Sequence, residues 1–301
     1  MRFVTAKKED RIFVGIVDEK LSKVIDIQLA EEAKNGMGTF PSSLIECIEC
    51  GDDFLQKATE IEEWAFATNS HKYIYHENEV ELLAPIPRPS KNIFCVGKNY
   101  AEHAIELGSV EDIPEHIMMF TKAPTTVVGP NNIVLKHEHV TTQLDYEGEL
   151  AVIIGKEGRS ISEVEAFDYV FGYTILNDIT ARDLQNRHKQ FFLGKSLDTT
   201  CPMGPYIAHK SVIPNHNNLQ IVTKVNDEIR QNGNTSQFIF PIETIISVIS
   251  QGMTLEPGDI IATGTPAGVG KGFKPPRFLK GGDVIEITID CLGTLRNTIE
   301  D

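Results

Sequence analysis

The chain has 301 residues, and its 28 Lys and Arg against 43 Asp and Glu leave a formal net charge of −15. No stretch concentrates basic residues, so a nucleic-acid partner, which requires a cationic face to displace phosphate counterions, is excluded. With 41% hydrophobic and 24% charged residues, the composition is that of a globular protein able to bury one large core or two unequal ones, not of a disordered chain.

Segments 2–4, 11–17 and 24–27 alternate apolar and polar residues and predict short strands separated by charged turns. The first ten residues lack an apolar export segment, and nowhere is there an apolar run of about 18 residues, so no membrane partner is expected and the chain reads as cytoplasmic. From 42 to 67 apolar residues recur at three- and four-residue spacing, broken at Gly51, which predicts helix. Cys47 and Cys50 lie in this stretch as a Cys-x-x-Cys pair. No second pair or nearby His completes a zinc set, and the two read as small apolar residues on one face of a short helix. With Cys95, Cys201 and Cys291 they form no disulfide framework.

Pro85, Pro87 and Pro89 predict a linker. They place a boundary between a small α/β accessory domain, residues 1–84, and a second domain, residues 85–301. Beyond the prolines, short strands are expected at 92–96, 133–135, 148–154, 169–176, 219–225, 259–263 and 284–289, with a last alternating run through 299. The fold class expected is α+β and mostly β, a mixed roll or sandwich with a few inserted helices.

Chemistry concentrates in 144–155. In a strand, Glu147 and Glu149 project from one face beside an apolar core, and Asp178 closes a second apolar run, 169–177. Adjacent carboxylates repel unless a cation separates them. Three of them at strand ends form an all-oxygen set suited to Mg²⁺ or Mn²⁺; a solvated Glu-x-Glu strand face is the alternative. A rival metal pair, His137 and His139, lacks a third ligand, because positions 143 and 144 are Gln and Leu, and it reads as surface imidazoles.

Five segments in order carry a resemblance: 92–103 with Gly97-Lys98-Asn99-Tyr100 and His103, 145–150 with Glu147-Gly148-Glu149, 177–185 with Asn177-Asp178, Gly194-Lys195-Ser196, and Thr263-Gly264-Thr265-Pro266-Ala267-Gly268-Val269-Gly270. From about residue 86 to the end, the chain resembles the catalytic domain of the fumarylacetoacetate hydrolase superfamily. The resemblance implies a mixed β-roll around a divalent metal, Mg²⁺ or Mn²⁺, with Glu147, Glu149 and Asp178 as ligands, and a homodimer. His103-Ala104-Ile105-Glu106 is most similar to the acylpyruvase and oxaloacetate decarboxylase branch. A fourth metal carboxylate, found in some larger hydrolases in the strand before the histidine, has no counterpart in 93–97.

The resemblance aims the Lys195 ammonium at the substrate oxygen and makes His103, oriented by Glu106 one helical turn on, a general base for water. Arg182 and Gln185 share a face if 179–188 is helical and are expected to grip the far end of the substrate. The turn 263–270 is not a P-loop, since Gly270-Lys271-Gly272 lacks the hydroxyl; its N–H groups and the Thr265 hydroxyl are expected to hold a carboxylate. Residues 107–115 read as a lid.

The expected activity is metal-dependent C–C bond cleavage of a small 2-oxo acid through a pyruvate-like enolate. Oxaloacetate decarboxylation stands slightly ahead of acylpyruvate hydrolysis, and isomerisation of an unsaturated hydroxy-diacid comes third. A scaffolding role with a vestigial metal site is disfavoured, because none of the three ligand positions has lost its carboxylate.

Overall fold

A computed structural model describes residues 1–18 and 22–301. The N-terminal alternation forms β1 (Arg2–Lys8), β2 (Arg11–Val17) and β3 (Lys23–Asp26). Ile27, expected to end a strand, instead opens helix α1 (Ile27–Asn35): the Asp26 carboxylate accepts the Leu29 N–H, and Gly36 closes the helix at φ +76°. The helical stretch splits at Gly51 into α2 (Leu44–Glu49) and α3 (Asp52–Thr68), as its spacing predicts. Cys47 is buried, and burial pushes its thiol up to about 12, whereas Cys50 is exposed at the helix end. The pair therefore does not share an apolar face. Strands β4 (Ile74–His76) and β5 (Glu81–Leu82) follow.

Past the prolines come β6 (Ile93–Gly97), α4 (Ala101–Leu107), β7 (Met118–Lys122), β8 (Val127–Val128), β9 (Ile133–Val134) and β10 (Leu144–Asp145). The chain continues through β11 (Gly148–Ile154), β12 (Val170–Asn177), β13 (Thr180–Ala181), α5 (Arg182–His188), α6 (Phe192–Lys195) and β14 (Cys201–His209). It ends with β15 (Gln220–Val225), β16 (Glu228–Asn234), α7 (Ile242–Ser250), β17 (Ile260–Ala262), β18 (Val284–Ile289) and β19 (Gly293–Ile299). Strand outweighs helix, in agreement with the α+β, mostly β expectation.

One large sheet runs in the order β4-β3-β2-β1-β14-β12-β11-β17-β6-β7, and a smaller one in the order β16-β15-β18-β19-β9. One apolar cluster lies between α1–α3 and the large sheet, and another between the two sheets. Because β11 and β12 are covered on both faces, they read as continuous apolar runs.

The large sheet passes directly across the proline segment, since β1 pairs antiparallel with β14. Phe3 packs against both Phe54 of α3 and Phe171 of β12, with ring centroids 5.0 and 5.6 Å apart. The Thr5 hydroxyl donates to the Pro85 carbonyl at 2.6 Å. Residues 1–84 thus extend the sheet that carries the site and share its core. No helix among the described residues is long and apolar enough to cross a membrane.

Candidate active site

Strand register assembles the site. Gly148 at the start of β11 pairs with Asn177 at the end of β12, and the Asp178 N–H donates to the Glu147 carbonyl at 2.9 Å. The alternation of β11 sends Glu147 and Glu149 to the side where Asp178 stands. Gly148, between them, faces the smaller sheet, where a Cβ would collide with the Thr223 hydroxyl of β15. All three carboxylates are buried, and one ligand oxygen from each lies within 4.8 Å of the others. This is the one such group among the described residues. His137, the rival, instead pairs its Nε2 with the Asp198 carbonyl at 2.8 Å.

Three buried cations surround the carboxylates. Lys195 Nζ donates to Glu147 Oε2 and Asp178 Oδ2, both at 2.6 Å. Arg182 donates from Nη2 to Glu147 Oε1 at 2.7 Å and from Nε to Asp145 Oδ2 at 2.8 Å. Lys122 Nζ lies 2.9 Å from Asp178 Oδ1 and donates to the carbonyls of Ile179 and Lys195. Against these stand four buried carboxylates, Asp145, Glu147, Glu149 and Asp178, so one negative charge is left over.

The carboxyl without a cationic partner is Glu149, which accepts the Gly264 N–H at 2.8 Å. Burial, then Asp178 and Glu147, push its carboxyl well above the ordinary range. For Glu147 burial pushes the same way, but Lys195 and Arg182 override it and hold that carboxyl well below the ordinary range.

A divalent cation fits this set. The donors are all oxygen, Glu149 lacks a counter-charge, and Asp178 Oδ1 receives no aligned hydrogen bond despite the nearby Lys122. Glu147, Glu149 and Asp178 are the residues that would hold it.

On the opposite wall, α4 carries His103, only 4% exposed, with Nδ1 2.7 Å from Glu106 Oε1. The other oxygen of Glu106 accepts the Gly268 N–H at 2.9 Å. With Nδ1 engaged, Nε2 is the ring nitrogen left to the cavity that His103 lines. Asn99 ties this wall to the 263–270 turn: its amide donates to the Thr263 and Phe240 carbonyls and its Oδ1 accepts the Phe240 N–H. The turn needs Gly264 at φ +99° and Gly268 at φ +108°, where a Cβ would press on Asn99 and the Arg230 carbonyl respectively.

Two substrate-binding expectations are corrected here. The N–H groups of the turn do hold carboxylates, but the protein's own: Gly264 holds Glu149, Gly268 holds Glu106, and Gly270 and Lys271 hold Asp145. The Thr265 hydroxyl is likewise spent, donating to the Gly148 carbonyl at 2.9 Å and accepting from Gln231. Arg182 does not reach outward either. It is 1% exposed and fastened to Asp145 and Glu147, so its surroundings make it a clamp on Glu147. Gln185 shares its helix face as expected, accepting from Arg182 Nη1 at 3.2 Å, which leaves its amide nitrogen to the cavity it lines.

The cavity measures about 740 Å³ including its mouth and has an apolar rim of Leu107, Met118, Phe120 and Phe191. At the mouth, a turn of 3₁₀ helix, Val110–Asp112, falls within the expected lid segment and is tied to Lys98 through Asp112 at 3.0 Å. Lys122, Asp145 and Gln231 escape a reading of the sequence. Their faint signals are a lone Lys closing an apolar strand and an Asp set between Leu144 and Tyr146.

The sequence profile described as fumarylacetoacetate (FAA) hydrolase C-terminal matches residues 92–300. Oxaloacetate tautomerase YisK of Bacillus subtilis is 59% identical over 99% of this chain and 100% of its own length. The structure is similar to the fumarylacetoacetate hydrolase of psychrophilic Exiguobacterium antarcticum, at 38% identity and TM-score 0.80, covering 100% of this chain and 99% of that one. It is also similar to maleylpyruvate hydrolase from Sphingobium sp. SYK-6, at 30% identity and TM-score 0.78, with the same coverage.

Proposed function

The chain belongs to the fumarylacetoacetate hydrolase family, and within it we propose that this protein interconverts the keto and enol forms of oxaloacetate, assisted by Mg²⁺ or Mn²⁺. The observation that carries the reading is the buried His103, paired with Glu106, on the same cavity as Glu147 and Glu149 of the carboxylate cluster. Keto–enol exchange is slow because a proton must leave or join carbon, and that step calls for a positioned base. In decarboxylation the C–C bond breaks without a base, and a proton joins carbon only afterwards, when the pyruvate enolate is quenched. The likeness to a relative named for oxaloacetate tautomerisation supports the same choice.

In the ketonisation direction a proton held on His103 Nε2 passes to C3 while the C2 hydroxyl gives up its proton to water, and in enolisation Nε2 removes the C3 proton while water returns one to the 2-oxygen. Glu106 keeps Nδ1 engaged, which fixes the ring orientation and leaves Nε2 to the substrate. Lys195 stays an ammonium, since Asp178 and Glu147 raise its pKa against the effect of burial, and it presents fixed positive charge near the 2-oxo oxygen. A divalent cation bound by Glu147, Glu149 and Asp178 supplies Lewis acidity to that oxygen. Arg182 holds Glu147 in place, Gln185 offers an amide N–H to a substrate oxygen, and the apolar rim limits water.

Oxaloacetate decarboxylation is the second reading, because the same cluster of Lys195 and carboxylate-bound cation would stabilise the electron pair left by departing CO₂. One assay separates the two. Metal-loaded protein mixed with oxaloacetate is followed for enol absorbance and pyruvate together, with His103→Asn alongside. The proposal expects enol–keto exchange to accelerate without matching pyruvate release, and His103→Asn to lower kcat by roughly 10²–10⁴-fold. Pyruvate release with unaccelerated tautomerisation would transfer the assignment to decarboxylation. Acylpyruvates run in parallel test hydrolysis. A homodimer is the proposed assembly, to be read from its mass by light scattering.

A further inference from the structure

Every cationic side chain lining the cavity is paired with a carboxylate except one. Lys98 pairs with Asp112, Arg182 with Asp145 and Glu147, and Lys195 with Glu147 and Asp178. Lys271 also lines the cavity, but no carboxylate among the described residues forms an ion pair with it; its Nζ contacts only the neutral Asn186 amide oxygen, at 3.3 Å. Its placement is built in. The Lys271 N–H donates to Asp145 Oδ2 at 3.0 Å, which secures the backbone on the carboxylate that also anchors Arg182. Burial and the neighbouring Arg182 pull its pKa below the usual lysine value, against the opposing pull of Asp145 and Glu147.

A 2-oxo acid brings one carboxylate beside its ketone, and both belong at the Glu147, Glu149, Asp178 end. A second carboxylate, farther along the substrate, needs its own positive partner, and Arg182 is unavailable for that role. We infer that Lys271 grips the distal carboxylate and so selects short 2-oxo diacids over 2-oxo monoacids at this site. The inference rests on the tautomerase reading for the identity of the reaction but not for the charge preference. A point ammonium on a flexible stem suits this task, because it can follow a distal group through keto and enol geometries.

The test uses the Mg²⁺-loaded full chain and two stable probes that differ only by the second carboxylate, malate and lactate, titrated calorimetrically into wild type, Lys271→Met and Lys271→Arg. Wild type should prefer malate. Lys271→Met should weaken malate by about tenfold, the worth of one charge-assisted hydrogen bond at a half-buried site, and leave lactate unchanged. Lys271→Arg should restore most of the preference. On oxaloacetate, KM should rise by about the same factor while kcat changes little. Equal affinity of wild type for malate and lactate, or equal loss of both in Lys271→Met, would overturn the inference. Wild type that prefers malate yet fails to tautomerise oxaloacetate would refute the reaction and uphold the role of Lys271.

Discussion

Replacement of Lys195 by Met is expected to reduce kcat for oxaloacetate tautomerisation by roughly 10²–10³-fold, the usual effect of deleting one preorganised charge beside a developing oxyanion. The ammonium lies 2.6 Å from both Glu147 and Asp178 and is 2% exposed, so its charge is little screened by water. Its loss leaves the buried Glu147 and Asp178 carboxylates without the ammonium they share, so their mutual repulsion rises. Added divalent cation restores positive charge between them. The variant should therefore gain more thermal stability from Mg²⁺ than wild type does, while turnover stays low even when metal content, read by elemental analysis, is normal. Unchanged turnover at normal metal content would remove Lys195 from the mechanism.

The second large effect concerns stability. Arg182→Met should destabilise the protein by about 3–5 kcal/mol, the typical consequence of stripping one partner from a buried ion pair. Here the loss falls on two carboxylates: Asp145 loses the guanidinium Nε and Glu147 loses Nη2. Asp145 retains the N–H groups of Gly270 and Lys271, which offset part of its penalty. Urea unfolding of Arg182→Met, Asp145→Asn and the double variant measures the coupling. The double variant should be less unstable than the two single losses added together, because neutralising Asp145 removes one of the charges that Arg182 left unpaired. Simple additivity would show that Arg182 acts through Glu147 alone.

The carboxylate triad was readable because its logic is local. Glu147 and Glu149 are two apart beside an apolar run, Asp178 ends another, and one antiparallel register joins them. Arg182 shows the limit of such reading. Its spacing from Gln185 placed both on one helix face, but what that face meets depends on β10 pairing with β13, which brings Asp145 beside Thr180 and Arg182. The 263–270 turn was recognisable as a holder of carboxylates, while the identity of those carboxylates required Asn99 and α4 in space.

Strand β14 was hidden for a different reason. Pro202, Gly204 and Pro205 suggest a loop, yet the strand is central to the large sheet and pairs with β12 in a register that shifts between Tyr173 and Ile175, where the proline next to Gly204 interrupts the ladder. Because β14 also receives β1, overlooking it made residues 1–84 look separable from the remainder. Strand β16 was hidden by its polarity: Glu228, Arg230 and Asn232 lie along an edge of the smaller sheet.

The central claim is that the Glu147, Glu149 and Asp178 site, bearing a divalent cation, drives proton exchange at carbon in oxaloacetate. Its most direct measurement is the rate of enol-oxaloacetate absorbance decay with Mg²⁺-loaded protein, with the same protein after chelation, and with Glu149→Ala. The account predicts acceleration by the first sample only, restored to the chelated protein by added Mg²⁺ or Mn²⁺. Equal acceleration by the chelated protein or by Glu149→Ala would contradict it.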